Sequence, residues 1–160
     1  MKVVIANDHG GVALKKLLVD HLAGQGHDIV NLGTDTSDIV RYPLFAAKAA
    51  QLVRSGEVER AILVCSTGIG MSIIANKFKG VRAALCTDSY MAKMTRKHNN
   101  SNVLCLGGKI TGDNLALEIA DVWLATEYEG GRHDISLGII ADVEEALVSP
   151  KEWKPEKDYP

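Results

Sequence analysis

Ile62–Gly70 reads ILVCSTGIG, an apolar run that ends in a cysteine and passes through Ser66 and Thr67 into two closely spaced glycines. Apolar runs such as Ala61–Val64 typify strands buried on both faces of a parallel sheet. In open α/β sheets, ligands sit beyond the carboxyl ends of those strands. Met71–Phe78 suits a helix, so Thr67–Gly70 is expected to cap its N-terminus. Unpaired backbone N–H groups at such an end bind anions and stabilise developing negative charge. A thiol placed there has its thiolate favoured. Cys65 and the bared backbone after it therefore form a candidate reactive site.

On either side of this stretch, strand-like runs alternate with helical patterns. Lys2–Ala6 reads as a strand, followed by Val12, Leu14, Leu17, Leu18 and Leu22 at helical spacing until Gly24 and Gly26. Asp28–Leu32 is a second strand, then comes a polar loop over Gly33–Tyr42. Pro43 opens a helix reaching Ser55, since proline is tolerated in a first turn. Ala61–Cys65, Arg82–Cys86 and Asn102–Leu106 are the third, fourth and fifth strands. Ser89–Lys97, Asp113–Thr126 and Asp134–Leu147 are further helices. Strands joined by helical crossovers predict a three-layer α/β sandwich: one five-stranded, mostly parallel sheet with helices on both faces. The expected division is one domain over residues 1–148 and an irregular, proline-containing tail over 149–160.

Bulk properties narrow the function. The 160 residues are 46% hydrophobic and carry a formal charge of −2, so no basic excess points to nucleic acid. No apolar run approaches the twenty residues a membrane span needs, and the N-terminus is not a signal peptide. Three cysteines, none in CxxC spacing, fit a reducing cytoplasm better than a disulfide framework.

Four polar clusters could carry chemistry. Asp8-His9-Gly10 follows the first strand and should share the carboxyl edge with Cys65; its plainer reading is a helix N-cap. His98-Asn99-Asn100 precedes the fifth strand, where a helix C-terminus alone favours His and Asn. Gly130-Gly131-Arg132-His133 is either a turn or a phosphate-capturing arginine after two glycines. Cys65-Ser66-Thr67-Gly68-Ile69-Gly70 is the fourth. Cys86 and Cys105 read as small core residues, His21 and His27 as solvated, and Met91 and Met94 as packing. No Cys/His/carboxylate set has metal-ligand spacing in the chain, so no metal is expected. A P-loop is excluded. The dinucleotide motif is incomplete, with Gly68 and Gly70 present but Ile73 in the third glycine's place, although Asp88 stands where a ribose ligand would.

Taken in order, these clusters resemble the type B ribose-5-phosphate isomerase family, which includes allose- and galactose-6-phosphate isomerases. Tyr42-Pro43, Ala75-Asn76-Lys77, Val81-Arg82-Ala83-Ala84 and Asn102-Val103-Leu104 extend the likeness from Lys2 to about Leu147. The resemblance implies a Rossmann-like fold, no metal or other cofactor, and homodimers or homotetramers whose sites are shared between subunits. By position, it makes Cys65 the base that moves a proton between C1 and C2 of an open-chain sugar phosphate, and His98 the acid or base of ring opening. Asp8 and Asn99 would hold hydroxyls, while Thr67 and the backbone of Ser66, Gly68, Ile69 and Gly70 would stabilise the enediolate. His9, Lys109 and Arg132 match binding positions, chiefly for phosphate, and Tyr42 lines the site.

Two positions depart from the family pattern. Ser136 stands where a second phosphate-binding arginine is usual, and Arg41 precedes Tyr42-Pro43 where many members have an acidic residue. Arg41 is therefore expected to supply part of the lost charge. Ribose-5-phosphate is the leading substrate. Six-carbon aldose phosphates are the alternative, and a non-catalytic sugar-phosphate- or nucleotide-binding subunit is the alternative of another class.

Overall fold

A computed structural model describes residues 1–147; the tail expected over 149–160 lies outside the described residues. Five strands, β1 (Lys2–Asn7), β2 (Asp28–Gly33), β3 (Arg60–Cys65), β4 (Ala83–Leu85) and β5 (Val103–Gly107), form one sheet in the order β2-β1-β3-β5-β4. All four pairings are parallel. Parallel neighbours need crossovers, and these are α1 (Val12–Gly24), α2 (Tyr42–Ser55), α3 (Ile69–Ala75) and α4 (Ser89–Asn99); α5 (Asp113–Ala125) and α6 (Arg132–Leu147) follow.

Side chains alternate across a strand, and this alternation builds two cores. Val3, Ile5, Ile62, Val64, Leu104 and Leu106 face one way, against Leu14, Leu18 and Leu22 of α1, Ala92 of α4, and Ile119, Ala120 and Trp123 of α5. Val4, Ala6, Ala61, Leu63, Cys65, Val103 and Cys105 face the other way, against the alanines of α2 and Met71 and Ala75 of α3. Helices on both faces explain why β1, β3 and β5 read as unbroken apolar runs. Among the described residues, no helix is long and apolar enough to cross a membrane.

Local chemistry moves several boundaries. The third helix occupies Ile69–Ala75 rather than Met71–Phe78, because Gly68 adopts a left-handed φ of 78° and starts it early. Asn76 then ends it: its side chain donates to Ser72 O and Ala83 O and accepts from Ala83 N–H, which also anchors β4. The fourth strand is shorter than Arg82–Cys86, although Cys86 N–H still donates to Cys105 O. The last helix starts at Arg132 rather than Asp134.

Three expectations about side chains fail. His21 is half-buried and pairs with Asp121 at 2.8 Å, tying α1 to α5. His27 is also half-buried, and its Nδ1 is enclosed without a hydrogen-bond partner. Met91 is exposed on α4 rather than packed, whereas Met94 is partly buried.

Candidate active site

The chain leaves β1 for β2 on one side and returns to β3 on the other, so the turns after β1 and β3 flank the point where the strand order reverses. Crevices form at such points. Asp8, at the end of β1, is buried and caps the 3₁₀ turn His9–Gly11, its Oδ1 accepting from Gly10 N–H at 2.8 Å. Asp8 N–H donates to Val64 O, Gly108 N–H to Cys65 O at 2.7 Å, and Lys109 N–H to Ser66 O at 3.0 Å. Three loops are thereby laced together at the carboxyl edge. Gly10 is required for this closeness, since a Cβ there would stand 2.2 Å from Ser66 Oγ and 2.8 Å from Ser66 N.

Cys65 closes β3 nearly buried, with its Sγ accepting a hydrogen bond from Gly68 N–H at 3.1 Å. A Cβ on Gly68 would meet the Leu106 carbonyl carbon at 2.9 Å, besides forcing an L-residue into left-handed backbone. Ile69 N–H turns inward as well, to Thr67 Oγ1 at 3.4 Å. Two of the backbone N–H groups in the Ser66–Gly70 stretch thus bond within the loop itself. Thr67 and Ile69 are exposed. Gly70 lies beneath the Tyr42 ring, whose Cε2 would be 2.7 Å from an added Cβ. His9 Nδ1 stands 3.3 Å from both N and O of Val40, bringing the polar loop before α2 to this same edge. Arg41, next in sequence, is exposed at the N-cap of α2, and Lys109 is exposed beyond β5.

The other thiols belong to the cores, as expected. Burial pushes Cys86 up to about 12, helped by the charge of Asp88, and pushes fully enclosed Cys105 well above the usual thiol range. Neither forms thiolate near neutral pH.

His98, Asn99 and Arg132 do not join this cluster within one chain. They stand at the C-terminus of α4 and the N-terminus of α6, both at the amino edge of the sheet. Arg82, just before β4, donates from Nε to Asn99 O and Asn100 O at 3.0 Å. Arg96 holds the same turn through Asn100 Oδ1 and Ser101 O. Burial, with repulsion from Arg60, lowers Arg96 to about 10, which leaves it charged at neutral pH. A strand of five or six residues, about 15–20 Å, separates this edge from Cys65.

Two residues stand beside His98: His133, which the sequence places in a polar cluster without a role of its own, and Glu129, which it does not single out. The His133 ring stacks on it, with centroids 4.3 Å apart and planes 19° from parallel. Glu129 Oε2 lies 3.9 Å from His98 Nε2 and 3.7 Å from His133 Nε2. A hydrogen bond from Lys97 to Oε1 holds the Glu129 carboxyl below the usual carboxylate range. These residues lie up to 35 positions apart in the chain, so no spacing rule exposes them. The only signal was the place of His133 directly after Arg132.

A cavity of about 730 Å³ also opens at the amino edge, between β4, α4 and α6, and Arg82, Asn99, Ile139, Ile140 and Val143 are among its lining residues. On α6, Ile135, Ile139 and Val143 recur four apart and are all exposed.

Comparison with known proteins agrees with this architecture. The Ribose/Galactose Isomerase family profile matches residues 3–140. Ribose-5-phosphate isomerase B of Escherichia coli is 42% identical over 144 residues, covering 90% of this chain and 97% of its own. D-erythrulose-4-phosphate isomerase of Pectobacterium atrosepticum is 40% identical over 132 residues, covering 82% and 87%. The solved structure of Clostridium thermocellum ribose-5-phosphate isomerase B superposes with a TM-score of 0.91 at 47% identity, over 92% of this chain and all of that one. A sheet of five parallel strands with helices on both faces is thus this chain's fold, and the chain belongs to the Ribose/Galactose Isomerase family.

Proposed function

We propose that this chain is a metal-independent aldose–ketose isomerase of sugar phosphates, with ribose-5-phosphate its leading substrate. The observation that carries the reading is Cys65: a nearly buried sulfur at the switch-point edge, oriented by Gly68 N–H and walled by three interlocked loops. The relatives' activities and the family membership support it.

In this reading Cys65, as thiolate, removes the proton on C2 of the open-chain aldose. The electron pair becomes the C1–C2 double bond, and O1 takes up negative charge. Donors aimed at that oxygen lower the barrier; in this reading the backbone after Cys65 and the Thr67 hydroxyl supply them. The O2 proton then passes to O1, the C2 oxygen becomes the carbonyl, and the thiol returns a proton to C1, regenerating the thiolate. Asp8 and Asn99 hold hydroxyls. In the tautomer whose Nδ1 accepts from Val40 N–H, Nε2 of His9 carries the ring proton and can donate to phosphate, with Lys109 and a second copy's Arg132. Tyr42 covers the crevice. Arg41 stands at the same edge, placed to add the charge that Ser136 does not offer.

His98 belongs to the ring-opening step, taking the proton from the anomeric hydroxyl and delivering one to the ring oxygen. Its distance from Cys65 within one chain favours a site built by two copies, each lending its amino-edge cluster to the other's crevice. The exposed isoleucines of α6 supply an apolar surface for such a homodimer or a homotetramer. Three unpaired thiols suit a reducing cytoplasm.

A substrate panel tests the proposal. Purified protein is expected to convert ribose-5-phosphate to its ketose faster than allose-6-phosphate or galactose-6-phosphate. His98→Ala should lose at least about a hundredfold on ribose-5-phosphate, the low end for an acid–base group. It should lose far less on erythrose-4-phosphate, whose C4 oxygen carries the phosphate and cannot close a furanose. Turnover of none of these substrates would refute the function, and equal losses on ring-forming and open-chain substrates would remove His98 from ring opening.

A further inference from the structure

We propose that His98, Glu129 and His133 form a site for a divalent transition-metal cation, zinc foremost, whose occupancy inhibits the enzyme. The inhibitory consequence rests on the function proposed above; the site itself does not.

The ligand atoms of the three side chains all lie within 4.8 Å of one another. Glu129 Oε2 faces both imidazole Nε2 atoms at 3.7 and 3.9 Å, too far for hydrogen bonds. Nε2 of His133 is buried and has no hydrogen-bond partner. An enclosed imidazole nitrogen is rarely left unmatched, and here it borders a gap of ionic size. Zinc takes imidazole nitrogen and carboxylate oxygen at about 2.0–2.2 Å. Tetrahedral ligands at that range sit about 3.4 Å apart, so Glu129 Oε2 closes on each imidazole by a few tenths of an ångström, while the two stacked rings must turn their Nε2 atoms toward the shared ion from a starting set that spans up to 4.8 Å.

The scaffold is already set. Gly130 and Gly131 both have left-handed φ, 65° and 62°, and fold the chain back so that Glu129 overhangs His133 before α6 begins. Glu129 N–H donates to Lys97 O at 3.1 Å, which ties the carboxylate's residue to the end of α4. Lys97 Nζ donates to Glu129 Oε1 at 2.7 Å, leaving Oε2 turned to the imidazoles. Outer partners of this kind orient a metal ligand. Two nitrogens and one oxygen suit zinc, copper or nickel rather than magnesium or calcium. Three protein ligands leave a fourth position open. A cation held there occupies His98 Nε2 and takes that residue out of proton transfer.

The test titrates zinc into the full chain carrying Cys65→Ala, so that the site thiol cannot bind the metal, and reads heat by calorimetry. Cobalt in place of zinc gives a visible absorption band for tetrahedral coordination. One cation per chain is expected. Glu129→Gln and His133→Ala should each weaken binding by more than about tenfold, because even outer partners are worth about ten- to a hundredfold. In the protein with Cys65 intact, zinc should suppress ribose-5-phosphate turnover, and a chelator should restore it. No stoichiometric binding, or binding unchanged by Glu129→Gln, overturns the site. Stoichiometric binding with undiminished turnover overturns the inhibition. A chelated protein that turns over no sugar phosphate instead refutes the proposed function, while the calorimetry still judges the site.

Discussion

Cys65→Ala is expected to lower kcat on ribose-5-phosphate by about a hundred- to ten-thousand-fold, the usual worth of a positioned acid–base group. Substrate binding should change little, because the sulfur acts on a proton that moves only in the transition state. The fold should tolerate the change: the side chain is small, and the sulfur's one hydrogen bond among the described residues is that from Gly68 N–H. Steady-state kinetics with a parallel measurement of ligand affinity separates the two effects. Near-normal kcat in the variant would place the base elsewhere, and a loss confined to KM would make Cys65 a binding residue.

The second large effect concerns the assembly. Cys65→Ala in one chain and the pair His98→Ala with Arg132→Ala in another damage opposite edges of the sheet. Each protein alone should be nearly inactive. Co-expressed, half of the dimers formed at random are mixed, and each mixed dimer holds one undamaged site of two; about a quarter of full activity should return for a two-fold symmetric pair. Activity measured on the mixture against each parent decides the point. If no activity returns from a mixture shown to contain mixed dimers, the two clusters do not serve one site.

The fold was largely legible because burial on both faces leaves a simple trace. β1, β3 and β5 are unbroken apolar runs, and α1 and α5 repeat leucine, isoleucine and alanine at helical spacing. Boundaries shifted where single side chains or backbone signs took over, as at Gly68 and Asn76, which no period records. The carboxyl-edge half of the site was equally visible: Asp8 and Cys65 each end a strand, and parallel strands must end together. Position alone gave no such warrant for His98 and Arg132. The same parallel logic puts the C-terminus of α4 at the opposite edge, and only resemblance joined that residue pair to Cys65. Least visible were contacts between segments remote in the chain. Glu129 and His133 meet His98 because two left-handed glycines reverse the backbone, and Gly10 meets Ser66 because Asp8 N–H and Gly108 N–H lace their loops to β3.

The departure at Ser136 weighs on substrate choice more than on chemistry. In the proposed reaction Cys65 and the backbone after it act at C1 and C2, which every aldose phosphate shares, whereas the phosphate grip sets how far along the chain the charge sits. Remote binding energy positions the reacting carbons, so a family with one crevice can serve sugars of different length. D-erythrulose-4-phosphate isomerase, 40% identical to this chain, acts on a four-carbon sugar by its name.

Conversion of ribose-5-phosphate in deuterium oxide, followed by proton NMR, tests proton transfer through an enediolate most directly. A thiol that takes the C2 proton exchanges it with solvent before returning it, so the ketose should carry deuterium at C1, and Cys65→Ala should lose both conversion and exchange. Conversion with full exchange retained in Cys65→Ala would contradict Cys65 as the base of this reaction.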